Sequence, residues 1–179
     1  MTAAMGGLAI SPAAIAGTMG DKEARFASGT GNTLFLAIGT ALPLMIDGKE
    51  GKDHALRALD TLIVSNMLSE GLKTVSHVRR PDGSDYKSFP SGHATTAFAI
   101  ATIESEFHPK QAPLWYLGAA VIAGSRVELN RHHPVDVIAG AILGCYTAKL
   151  ELSSRHGLLL FPFIDSDKGC VGVQVTKEF

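Results

Sequence analysis

An all-α fold is predicted for this chain: a compact bundle of about five or six helices in one domain, with a short strand-like C-terminal tail. Three observations predict it. Apolar residues recur at helical spacing through the longest periodic segment. Helix-starting and helix-stopping residues punctuate the chain at regular intervals. Strand-like alternation appears near the end, where Val171, Val173 and Val175 alternate with Gly172, Gln174 and Thr176.

The elements follow in order. Ser11-Pro12 pairs a favoured N-cap with proline at the first helical position and starts a short helix over 12–18. Residues 31–46 form a second helix, closed by Asp47-Gly48. The third runs from Lys52 to about Arg79, where Leu56, Leu59, Ile63 and Met67 form an apolar stripe that Leu62 widens. Pro81 stops it, because the residue before a proline resists the helical conformation. The polar stretch 82–89 is a loop. Helical character resumes at Ser91, runs to about Glu106 and breaks at His108-Pro109-Lys110. Residues 113–127 form the next helix, and Pro134 opens the last, through about Leu152. No linker or repeat divides the chain, so a single domain over 1–179 is expected, with its core over about 52–152.

Composition narrows the function. Hydrophobic residues make up 46% of the chain and charged ones 18%, with a net charge of −1. No global field therefore points to nucleic acid, and no nucleic-acid partner is expected. Cys145 and Cys170 form no Cys-x-x-Cys pair, and no His-Glu-x-x-His run suggests zinc. Residues 26–46, 111–125 and 137–148 lack acidic and basic side chains. Only Leu34 to Ile46 is strongly apolar in the first, Pro43 interrupts it, and the other two fall short of the ~20 residues a span needs. These lengths read as core helices of a soluble or surface-associated protein. Residues 1–20 have no basic start and do not read as a signal peptide.

Three segments carry chemistry. Lys73 and Arg80 are seven residues apart, so on a regular helix both would project from one face, ~10 Å apart along the axis. Lysine supplies a point charge and arginine a bidentate fork for an anion; taken alone, the pair reads first as a solvated basic helix end favoured by the helix dipole. Pro90-Ser91-Gly92-His93 sits where a loop becomes a helix. The free amides of a first helical turn bind anions, Gly92 lets backbone approach an oxyanion, and His93 is a candidate proton donor. Ser91 either N-caps the helix or turns its hydroxyl to the ligand. Arg126, His132 and Asp136 form the third set. His132 and Asp136 are four apart, so a helical turn would put the carboxylate against one imidazole nitrogen and leave the other as an outward lone pair. Such a histidine can be a nucleophile. His133 competes for that role, three residues from Asp136.

With Lys73-x6-Arg80-Pro81, Pro90-Ser91-Gly92-His93 and Ser125-Arg126-x5-His132-x3-Asp136, the chain resembles the type 2 phosphatidic acid phosphatase and vanadium haloperoxidase superfamily, with every motif position filled in order. The resemblance implies a helical phosphatase. In it His132 would attack phosphorus, Asp136 would orient it, and His93 would protonate the leaving group and then activate water. Lys73, Arg80, Arg126, Ser91 and the Gly92 amide would hold the phosphoryl oxygens. It implies no metal or organic cofactor, with vanadate as an inhibitor, and a phosphorylated small-molecule or lipid substrate, the lipid favoured by the His132-His133-Pro134-Val135-Asp136 turn. Contact with a membrane surface and a periplasmic or membrane-associated place in a bacterial-type cell envelope are expected. Two alternatives use the same residues: a haloperoxidase with vanadate as its cofactor, and an inactive phosphate-binding or membrane-associated helical module. A zinc hydrolase built on His93, His132, His133 and Asp136 ranks below them, because three cations in one pocket would repel Zn²⁺.

Overall fold

The computed structural model describes residues 19–154, 157–158, 160–165 and 170–175. Helix α1 covers Asp21–Ile46, α2 Gly51–Ser76, α3 Gly92–Phe107, α4 Ala112–Glu128 and α5 Pro134–Ser153. Strands β1 (Leu160–Asp165) and β2 (Cys170–Val175) form an antiparallel hairpin in which Leu160 faces Val175 and Asp165 faces Cys170. The all-α expectation holds, and the strand-like tail gains a partner. The sequence hid that partner because residues 158–164 form an apolar run without alternation, broken by Pro162. The helix expected over 12–18 lies outside the described residues.

Helix α3 is the axis of the bundle. Ala94, Ala97, Ala99, Ile100, Ala101 and Ile103 are fully buried along it. Small residues let its neighbours approach closely. A Cβ added to Gly144 of α5 would stand 2.1 Å from the Thr95 carbonyl oxygen, and one added to Gly140 2.5 Å from that of Ser91. The Gly140-x3-Gly144 spacing is therefore the seam along which α5 lies on α3. Gly39 serves α1 in the same way, since a Cβ there would reach 2.3 Å from Ile100.

The helix faces differ in part from expectation. The α2 stripe of Leu59 and Met67 faces outward, while Ala58, Thr61, Ser65, Ser69 and Lys73 form the buried face. On α5, Val135, Ile138, Ile142, Tyr146 and Leu150 form an exposed row at helical spacing. Nor is α1 a core helix. It starts ten residues before its expected first residue, 31, runs through Pro43 without stopping, and is long and apolar enough to cross a membrane. Its most apolar window has mean hydropathy 1.3, yet only 11% of that window is buried. Small and hydroxyl side chains fill much of the interior around Ile100, Ile103, Ile122 and Trp115, and many of the other large aliphatics remain outside.

Two acidic clusters fasten the end of the bundle remote from the motifs. Asp47, after α1, bonds His54 of α2 at 2.6 Å and His108, after α3, at 2.8 Å. His108 also meets the buried Glu104 at 3.0 Å, and burial pushes that carboxyl up to about 7. In the second cluster, burial and the neighbouring Asp60 raise Glu151 to about 7. The Leu158 amide donates to both acids at 2.8 Å, tying the chain beyond α5 to α2.

Candidate active site

Lys73 ends the buried face of α2. The helix stops at Ser76 because His77 adopts a left-handed conformation, φ 46°. Arg80 therefore is not on the helical face shared with Lys73, as the seven-residue spacing suggested. It enters from the loop, and both side chains still reach one cavity. The loop folds back on itself, with the Arg80 amide donating to the Asp85 carbonyl at 3.0 Å and the Ser88 amide to the Val78 carbonyl at 3.0 Å. The Asp85 carboxylate holds Arg80 Nε at 2.7 Å, and Asp82 holds Arg131 at 2.7 Å. The carboxylate of Glu70, one turn back on α2, pairs with Lys73.

Ser91 is the N-cap of α3, but its hydroxyl makes no capping bond. It is buried and has no partner among the described residues, as are Ser69 Oγ and Arg126 Nε. Such orphaned buried groups are costly unless a ligand satisfies them. Gly92 brings the backbone close to Lys73: a Cβ there would lie 2.9 Å from Nζ and would displace the lysine tip. The open amides of the first α3 turn thus stand beside an ammonium.

His93 Nε2 donates to the Ser28 carbonyl at 3.1 Å. Burial, then the nearby Arg126, lower its pKa to about 4. Arg126 lies in the last turn of α4 and is buried. Burial and the positive charges of Arg80 and Arg131 bring it down to about 10. Beyond α4 the chain reverses through Asn130, φ 51°, and the amides of Arg131 and His132 both donate to the Arg126 carbonyl, at 3.0 and 3.2 Å. That turn fixes His132 beside Arg126.

His132 Nδ1 donates to the Ser88 carbonyl at 2.7 Å. A carbonyl only accepts, so Nδ1 carries the proton and Nε2 keeps its lone pair. Nε2 meets Arg80 Nη1 at 3.3 Å. Burial lowers the imidazole pKa to about 3, aided by Arg126, Arg80 and Lys73 and opposed by the Ser88 carbonyl. The free histidine is thus neutral at ordinary pH.

The expected Asp136–His132 hydrogen bond is absent: Asp136 Oδ2 lies 3.9 Å from Nδ1. His132 precedes α5, so the two do not share a helical face. Asp136 Oδ2 instead accepts from Ser88 Oγ at 2.5 Å and from the His133 amide at 2.9 Å, capping α5. Ser88 links acid and imidazole, its hydroxyl to one and its carbonyl to the other. His133 is exposed and bonds the Arg79 carbonyl at 3.2 Å, away from the cavity.

Lys73, Arg80, Gly92, His93, Arg126 and His132 line one cavity of about 510 Å³. Asp136 and Ser91 are buried outside its lining. Asn32 and Leu36 of α1 and Leu62, Ile63, Asn66 and Glu70 of α2 extend it between those helices. The motifs gave no sign of Ser28, Asn32, Glu70, Asp85 or Ser88. Ser28 lies 65 residues from His93, beyond any local spacing rule. No group of three or more His, Cys, Asp or Glu that could hold a metal occurs among the described residues.

A helical bundle that gathers three cations, a helix start and two histidines around one cavity defines a class of phosphate-handling proteins. The chain belongs to the PAP2 superfamily, whose sequence profile matches residues 54–158. It is similar to lipid A 1-phosphatase of Porphyromonas gingivalis, 33% identical over 104 residues that cover 56% of this chain and 23% of that protein. It is also similar to undecaprenyl-diphosphatase of Sulfolobus acidocaldarius, 36% identical over 80 residues, 43% of this chain and 37% of that one. The chain thus spans well under half the length of either relative. The crystal structure of Aquifex aeolicus LpxE has the same fold, with TM-score 0.60 and 24% identity over 78% of this chain and 91% of that one.

Proposed function

We propose that this protein is a metal-independent phosphatase that hydrolyses a lipid or isoprenoid phosphate or diphosphate through a phosphohistidine. One observation carries the reading: unprotonated His132 Nε2, which accepts only from Arg80 Nη1 at 3.3 Å among the described residues, lies on a cavity ringed by Lys73, Arg80 and Arg126. Phosphoryl transfer asks mainly for positioning and charge neutralisation, and this arrangement supplies both. His132 Nε2 attacks phosphorus, and the P–O bond to the leaving group breaks. His93 gives its Nε2 proton to the departing oxygen, then takes one from the water that attacks the phosphohistidine. Inorganic phosphate leaves and both imidazoles are restored. The bound phosphoryl group offsets the repulsion that the cations exert on protonated His93, so the acid form becomes accessible once substrate is in place.

Two features support a lipid-type substrate. The cavity wall beyond the phosphate end includes the apolar side chains of Leu36, Leu62 and Ile63 beside Asn32, Asn66 and Glu70. Outward aliphatic rows on α2 and α5, together with the exposed apolar α1, suit a protein held at a membrane. The names of the relatives point the same way, and a periplasm-facing site is part of the proposal. The test is turnover of p-nitrophenyl phosphate, a lipid phosphate and an isoprenoid diphosphate by the full chain. His132→Ala should cut turnover by at least about 10³-fold without unfolding the protein, as loss of a covalent nucleophile does elsewhere. EDTA should change nothing, and orthovanadate should inhibit. Persistent turnover in His132→Ala would remove the nucleophile assignment.

A further inference from the structure

Arg126 differs from the other two cations of the site. Lys73 is paired with Glu70 and Arg80 with Asp85. Arg126 has no carboxylate within ion-pair distance among the described residues; its Nη1 donates to the hydroxyl of Ser28. The same residue's carbonyl accepts the His93 Nε2 proton at 3.1 Å. Ser28 lies in a five-residue π-helical turn, Ala27–Gly31, inside α1. Such turns are rare, offset the backbone ladder by one residue, and occur often where a helix serves a site.

We infer that Ser28 is a positioning residue, its hydroxyl aiming Arg126 into the cavity and its carbonyl holding Nε2, the proton-bearing edge of His93. The inference rests on the phosphatase reading for its catalytic meaning, and on geometry alone for its structural one. A hydroxyl fixes a guanidinium without cancelling its charge, whereas a carboxylate would compete with the incoming phosphoryl group. The remaining Nε of Arg126 is buried and unpartnered, so the held guanidinium keeps a donor for an oxyanion. No motif includes this residue, and no other part of α1 is seen to bond these two side chains.

The experiment compares Ser28→Ala, Ser28→Thr and Thr30→Ala in the full chain. Thr30 is exposed in the same turn and controls for damage to the turn itself. Ser28→Ala should weaken orthovanadate binding, read by calorimetry, and raise KM by about tenfold each, the loss expected for one hydrogen bond to a charged group. It should leave kcat less affected. Ser28→Thr should restore both, and Thr30→Ala should match the parent. In an Arg126→Ala background, Ser28→Ala should have no further effect on vanadate. Should Ser28→Ala unfold, Ser28→Cys keeps the size, loses the good acceptor and reads the same change. Vanadate affinity and KM within twofold of the parent in a folded Ser28→Ala or Ser28→Cys overturns the inference. A parent that binds vanadate but turns over no phosphate ester overturns the phosphatase reading instead, while the binding arm still judges Ser28.

Discussion

At the scale of single residues, the site depends on a relay through Ser88. Its carbonyl holds His132 and its hydroxyl holds Asp136. Ser88→Ala keeps the carbonyl but strips one donor from a fully buried carboxylate. The expected result is a fall in kcat of about 10²-fold, the cost of misplacing a reacting group by roughly 1 Å. Asp136→Asn should cost a similar amount, and the double variant no more than the worse single one, because both act on one chain of contacts. Additive losses in single-turnover rates would separate Ser88 from Asp136. The sequence showed the endpoints of this relay but not its middle. His132 and Asp136 sit four apart and invite a direct bond, and only the turn before α5 reveals that the ring leaves the helix first.

At the scale of elements, the seam between α3 and α5 sets the site. Gly144→Ala would force a methyl group to 2.1 Å from the Thr95 carbonyl. Backbone cannot yield as a flexible side chain does, so α5 must shift. A loss of about 1–3 kcal/mol in unfolding free energy is expected, the range for overpacking, with a fall in activity because His132 and Asp136 flank the start of α5. Denaturant unfolding beside turnover checks both; an unchanged midpoint would contradict the close contact. Helix starts and stops were legible from Pro134, Ser91 and His108-Pro109 because capping chemistry is local. Helix faces were not. Leu59 and Met67 looked like a core stripe, but the facing helix needed the small face of Ala58, Ser65 and Ser69 instead. The early part of α1 was missed because Ser28-Gly29-Thr30-Gly31 reads as a breaker, and a π-turn absorbs it. The three motif segments were legible as a set, since residue type and order survive folding. Their joint cavity was expected, and the route by which Arg80 reaches it was not.

At the scale of the whole molecule, the two ends respond to acid in opposite senses. His93 and His132 are held below their ordinary value of 6.5, at about 4 and about 3. Below pH 6.5 the unfolded chain binds protons that the folded site refuses, so their stability is present above 6.5 and is lost as pH falls toward those values. Glu104 and Glu151 are raised from 4.5 to about 7 by burial. Above pH 4.5 the unfolded chain sheds protons that the folded clusters keep, so their contribution is lost as pH rises through about 7. Melting temperature should therefore peak between pH 4.5 and 6.5. His132→Gln should flatten the acid limb and Glu104→Gln the alkaline limb. Limbs that ignore both substitutions would show that these buried groups do not govern the pH response.

The Ser91 amide bonded to the Asp136 carbonyl at 2.9 Å has a consequence for how such a molecule can change over time. It rivets the first turn of α3 to the first turn of α5 through main chain, which no side-chain replacement erases. Among the described residues, no main-chain bond of this kind ties the α1 wall to the motif turns. Drift in amino-acid identity there can reshape that side of the cavity, while the half built on α3 and α5 keeps its form.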